Sequence, residues 1–80
     1  MPSPPPFATG RRWRWRSSQS KKIDTRVWYD PTNRYEYEPD PSRLSGTWHE
    51  INPRTDEYRD VDYHTGLPIA GSEGRWRKLK

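Results

Sequence analysis

The chain's two histidines, His49 and His64, bracket a segment that also carries Arg59, Asp60 and Asp62. An imidazole close to a carboxylate can exchange protons near neutral pH, and a guanidinium can balance charge on a phosphorus. That combination suits metal-independent cleavage of RNA. One group takes the 2′-hydroxyl proton, a second protonates the departing oxygen, and an arginine steadies the phosphate. His49, His64, Asp62 and Arg59 are the candidate catalytic residues. The same residues also fit a plainer reading, two surface imidazoles ion-paired with their hairpin neighbours. A metal site from His49, His64 and Asp62 has no fixed ligand spacing behind it, so no metal and no other cofactor is expected. A phosphate-binding glycine loop and a nucleophile elbow are both absent from the sequence.

These side chains can meet only if strands carry them. Residues 47–51 and 57–63 read as strands joined by an Asn52-Pro53-Arg54-Thr55 turn, with proline at the position where its fixed φ helps. Pairing around that turn sets Ile51 near Glu57, His49 opposite Arg59 or Asp60, and Thr47 opposite Asp62. His64 then falls near Gly46. Alternation puts His49 and Ile51 on one face and Trp48 and Glu50 on the other, so Glu50 cannot act directly with His49. An earlier unit has the same grammar: residues 25–29, an Asp30-Pro31-Thr32-Asn33 turn, then an alternating stretch over 34–38 with Tyr35 and Tyr37 on one face, stopped by Pro39 and Pro41. The two units form a weak repeat about twenty residues apart. "LPIAG" suits a short edge segment. No stretch has a 3.6-residue period. The expected fold is mostly β: a small, strongly twisted antiparallel sheet of four or five short strands with irregular basic ends.

Core material is scarce. Only 28% of residues are hydrophobic against 32% charged, and Leu, Ile, Val and Phe number nine in 80. That approaches the disordered class, unless the five Trp and five Tyr supply the missing apolar area at roughly 150–250 Å² each. Without cysteine, disulfides cannot compensate, which points to the cytoplasm or to a partner. No apolar run nears the ~20 residues of a membrane span, and the opening "MPSPPPFATG" lacks a secretory apolar region. "RRWRWRSSQSKK" has some transit-peptide character, which keeps an organelle destination open.

Charge divides the chain into three. Residues 1–29 and 67–80 are strongly basic, whereas residues 30–66 are acidic. The expected organisation follows: a Pro-rich and Arg/Trp-rich flexible arm (1–22), a β-hairpin domain (23–71) and a basic tail (72–80). "RRWRWR" and "RWRKLK" mix phosphate-binding cations with stacking rings, at ~1–3 kcal/mol per stacked base. Arg11, Arg12, Trp13, Arg14, Trp15, Arg16, Arg75, Trp76, Arg77 and Lys78 are the expected RNA-binding residues. Three further readings stand beside this one. A tryptophan of each segment could dock on the core while its arginines stay solvated, the segments could lie on a membrane surface, or the arms could wrap other subunits of a large ribonucleoprotein-like complex.

"VWYDPTNRYEYEPD", "GTWHEINPRTDEY" and "VDYHTGLP", followed by "RWRKLK", resemble the cytotoxic ribonuclease domains of rRNA-cleaving colicins and related polymorphic toxins, over roughly residues 25–80. The resemblance implies a small cysteine-free twisted antiparallel sheet, ribosomal RNA as target and an acidic immunity protein as partner. That family's early Asp-His-Glu cluster has no counterpart before residue 49, while Arg75 or Arg77 matches its late arginine.

Overall fold

A computed structural model describes residues 3–7, 12–32, 34–39 and 46–80. Six strands form one open antiparallel sheet: β1 (Arg14–Ser17), β2 (Arg26–Tyr29), β3 (Glu36–Pro39), β4 (Thr47–Asn52), β5 (Glu57–Asp62) and β6 (Arg77–Lys78). Each strand pairs with the next in the chain, so the sheet is a meander without crossovers. A 3₁₀ turn, Ser72–Gly74, precedes β6. The mostly β class is as expected, but six strands form where four or five were anticipated. The extra two come from segments read as basic ends. Arg14 and Arg16 alternate with Trp13 and Trp15, and this two-residue period is that of a half-buried strand. The sheet thus draws residues from all three expected segments.

Turn chemistry sets the register. Asp30 Oδ1 accepts from the Thr32 amide (2.9 Å) and hydroxyl (2.9 Å). Asn33 and Pro41 lie outside the described residues. Asn52 Oδ1 accepts from the Arg54 amide (3.0 Å), and Asp56 closes that turn at φ 57°. The β4–β5 ladder then pairs Asn52 with Glu57, His49 with Asp60 and Thr47 with Asp62. Pro39 is the last residue of β3, paired with Trp48, rather than the residue that ends it. Beyond β5, Pro68 bridges Val61, so residues 67–69 and β6 share the outer edge of that strand.

The core is aromatic. Trp28, Tyr37, Trp48 and Val61 are buried together on one face, with Phe7, Trp13, Trp15, Tyr35 and Tyr63 packed against them. Trp48 stacks on Tyr63 at 5.0 Å and donates its indole N–H to the Tyr63 carbonyl. Val27 and Ile51 are buried on the opposite face, as the ladder parity requires. Four carboxylates are buried as well: Asp30, Glu36, Glu50 and Asp60. An ion out of water is tolerated only with partners. Glu36 receives Arg16 (3.2 Å), the Ser18 hydroxyl (2.6 Å) and the Gln19 amide (2.8 Å). Glu50 receives the Tyr37 hydroxyl and Arg59 Nε (2.6 Å). The polar pairs therefore complete a core that aliphatic side chains could not fill.

Candidate active site

Three adjacent strands build the site. Ile51, fully buried, fixes the parity of β4, so His49 and Thr47 share its face. Glu38 on β3 and Asp60 on β5 are the cross-strand partners of His49. Cross-strand neighbours stand about 4.5–5.5 Å apart at Cβ, so all three side chains converge. His49 Nδ1 lies 3.4 Å from Glu38 Oε1, and Nε2 lies 3.5 Å from Asp60 Oδ1. The Tyr58 ring meets the imidazole edge-on at 5.0 Å.

Access divides the two carboxylates. Glu38 keeps 23% of its side-chain surface and His49 21%, whereas Asp60 keeps 4%. Asp60 is also held by Arg77 Nη2 at 3.0 Å, and the Arg77 guanidinium lies over the Tyr58 ring at 4.4 Å. Glu38 accepts from the Thr25 hydroxyl at 3.1 Å. Asp60 is thus placed to orient the ring, and Glu38 and His49 are placed to meet a solute.

They open into a cleft of about 400 Å³. Glu38, His49 and Tyr58 form its floor. Lys22, Ile23, Asp24 and Thr25 make one wall, and Lys78, Leu79 and Lys80 the other. Asp56 ties the walls together: its carboxylate accepts from the Ser20 hydroxyl (2.7 Å) and its carbonyl from the Leu79 amide (2.9 Å). Asp is among the residues that tolerate the left-handed conformation this requires. Lys78 Nζ bonds the Thr55 carbonyl at 2.9 Å. With Lys78 held in this way, Lys22 and Lys80 face Asp24 at the rim of the carboxylate–imidazole floor, a balance that favours an anion.

The other expected catalytic residues stand elsewhere. Arg59 points to the aromatic face, bonded to Glu50 and stacked over Trp76 at 4.4 Å. His64 is exposed in the turn after β5; the Tyr63 amide bonds the Gly46 carbonyl, which puts His64 beyond the end of the ladder, roughly 13 Å along the strand from His49. Asp62 Oδ1 accepts from the amides of Thr65 (2.9 Å) and His64 (2.8 Å), and these bonds hold its carboxyl below its usual pKa of 3.8. It is a turn-forming carboxylate. Among the described residues no group of three or more His, Asp or Glu is placed to hold a metal ion.

Of the expected RNA-binding residues, Arg12, Arg14, Arg75 and Lys78 are exposed. Arg16 is engaged with Glu36 and lies 3.5 Å from the Tyr29 ring centroid. Trp13 and Trp15 are half-buried in the aromatic cluster, and Trp76 sits between Arg59 and Tyr35. Arg77 belongs to the His49 site. Arg11 lies outside the described residues. Glu38 was not anticipated, because its place beside His49 depends on the β3–β4 register. The sequence between those strands carries an Asp-Pro pair of its own, Asp40-Pro41, but Pro39 and Pro41 together suggest the end of a strand more than a hairpin turn.

A search of protein-family models, curated proteins and solved structures finds no match to the chain. The functional reading therefore rests on the geometry of the cleft. No helix among the described residues is long and apolar enough to cross a membrane.

Proposed function

We propose that the protein is an RNA-binding, metal-independent endoribonuclease that cuts in the His49 cleft. The observation that carries this reading is the row Glu38–His49–Asp60 on three neighbouring strands, open to a lysine-walled cleft. Glu38 accepts the proton of a 2′-hydroxyl, the 2′-oxygen attacks the adjacent phosphorus, and protonated His49 gives its Nδ1 proton, which rests beside Glu38 Oε1 in the free protein, to the departing 5′-oxygen. The products are a 2′,3′-cyclic phosphate and a free 5′-hydroxyl, with every atom accounted for. Asp60, buried and bound to Arg77, keeps the imidazole oriented and stabilises its charged form, as carboxylates do in proton-transfer triads. Lys22 and Lys80 offset charge on the phosphate. Arg59 and Asp62 have structural roles, and His64 is outside the cleft. The resemblance adds ribosomal RNA as a target and an acidic protein as a partner.

Purified protein incubated with a mixed-sequence RNA tests the reading. Wild type should cut, while His49→Ala and Glu38→Gln should each lose at least about 100-fold in rate, the scale of one acid–base group. His64→Ala should cut at the wild-type rate. Equal cutting by wild type and His49→Ala, or no cutting by either, would remove it.

A further inference from the structure

The face opposite the cleft carries a second, independent feature. Residues 3–7, Ser-Pro-Pro-Pro-Phe, reach the aromatic face of the sheet through Phe7. Pro5 is buried, and Phe7 is half-buried against the aromatic cluster. Phe7 meets Tyr37 edge-on at 5.3 Å and Trp13 at 6.0 Å, while Trp13 and Tyr37 meet at 5.5 Å. The three rings form a closed triangle. A glycine makes room for the fourth side: a Cβ at Gly66 would stand 2.8 Å from Phe7 Cδ2, and Gly66 has φ 74°. The Phe7 ring therefore rests against a backbone that only glycine leaves open.

This segment is held differently from the rest of the chain. Among the described residues no backbone–backbone hydrogen bond joins 3–7 to the sheet. Among the described residues, packing of the Phe7 ring holds it to the sheet. No helix or second sheet among the described residues covers this face. Consecutive prolines favour a preformed extended helix that loses little entropy on docking against aromatic rings. A proline-rich segment seated on aromatic rings by its side chains is arranged as a docked peptide would be.

We propose that Trp13, Tyr37 and Gly66 form a binding groove for a proline-rich peptide ending in an aromatic residue, filled in cis by the chain's own residues 3–7. Only residues 8–11 join Phe7 to Arg12, and a tether that short gives an effective concentration in the millimolar range. An external segment of the same chemistry gains the groove when the leader is displaced or altered. The partner is thus a Pro-Pro-Phe-type sequence in another chain.

The test uses the full chain and a blocked synthetic peptide, Pro-Ser-Pro-Pro-Pro-Phe, followed by NMR at the Gly66 amide and the Trp13 indole. In Phe7→Ala both signals should move, because Phe7 leaves Gly66. Adding peptide should return them towards their wild-type positions. Wild type should bind the same peptide at least roughly tenfold more weakly, since its leader competes. A peptide with alanine in place of phenylalanine should not bind. Four results would each overturn the proposal: a folded Phe7→Ala chain that ignores the peptide, equal affinity in wild type and variant, binding of the alanine peptide as tight as that of the phenylalanine peptide, or a Phe7→Ala chain that no longer folds. In the last case the ring belongs to the permanent core. A single-stranded oligonucleotide that shifts these signals where the peptide does not would likewise replace it with a nucleic-acid site.

Discussion

Arg16 separates two accounts of the Arg/Trp segment. If that segment only grips RNA, Arg16 and Arg14 are equivalent cations and neither matters to folding. In the structure they differ. Arg16 bonds Glu36 at 3.2 Å, and Glu36 is fully buried, whereas Arg14 is exposed. Removing one partner of a buried pair costs about 3–5 kcal/mol, and an exposed pair is worth about 0–1. Arg16 keeps 29% of its side-chain surface, so the pair lies between these limits, nearer the first because Glu36 has no access to water. The Ser18 hydroxyl and Gln19 amide remain on Glu36 and soften the loss. Arg16→Ala should therefore cost about 2–3 kcal/mol, to which the lost Tyr29 stacking adds about 0.5. For a domain of this size that is a shift of roughly 10–20 °C in Tm. Arg14→Ala should stay within about 0.5 kcal/mol of wild type. Urea unfolding followed by tryptophan fluorescence measures both. Glu36→Gln added to Arg16→Ala should recover part of the loss, because an amide is cheaper to leave unpaired than a carboxylate. Equal midpoints for Arg14→Ala and Arg16→Ala would refute the argument.

The aromatic face gives further expectations. Trp48→Ala removes a fully buried indole and should cost about 3–5 kcal/mol in the same unfolding assay. Tyr37→Phe leaves Glu50 with Arg59 but without the hydroxyl, a loss of about 1–3 kcal/mol. At Asp62 the folded carboxyl titrates below its usual value, so its contribution is fully present above pH 3.8 and is lost as pH falls through the lowered value. Asp62→Ala should be less stable than wild type near neutral pH, and the gap in Tm should close on acidification through that range.

Much of the fold was legible because local chemistry pointed one way. The Asp30-Pro31 and Asn52-Pro53 turns mark two hairpins, and the alternation of Trp48, His49, Glu50 and Ile51 assigns their faces. The expected juxtaposition of Thr47 with Asp62 is the one that forms. Alternation in "RWRWR" signalled a strand equally well, but its charge invited a reading as a solvated arm. Arg16 and Arg77 are drawn in from solvent by the buried carboxylates of Glu36 and Asp60, a relation set by contacts distant in sequence. The same holds for Glu38: a carboxylate two strands from Asp60 becomes its neighbour across His49 only once β3, β4 and β5 are in register. His64 and Asp62 attracted attention by type, yet a turn needs an oxygen acceptor more than a proton donor, and Asp62 serves there.

Identifying the ends left on RNA bears most directly on the central claim. Mass spectrometry of products formed in the presence of EDTA should find 2′,3′-cyclic phosphates and 5′-hydroxyls, absent when His49 is alanine. Fragments ending in 5′-phosphates, or an RNA left whole by the folded protein, would contradict it.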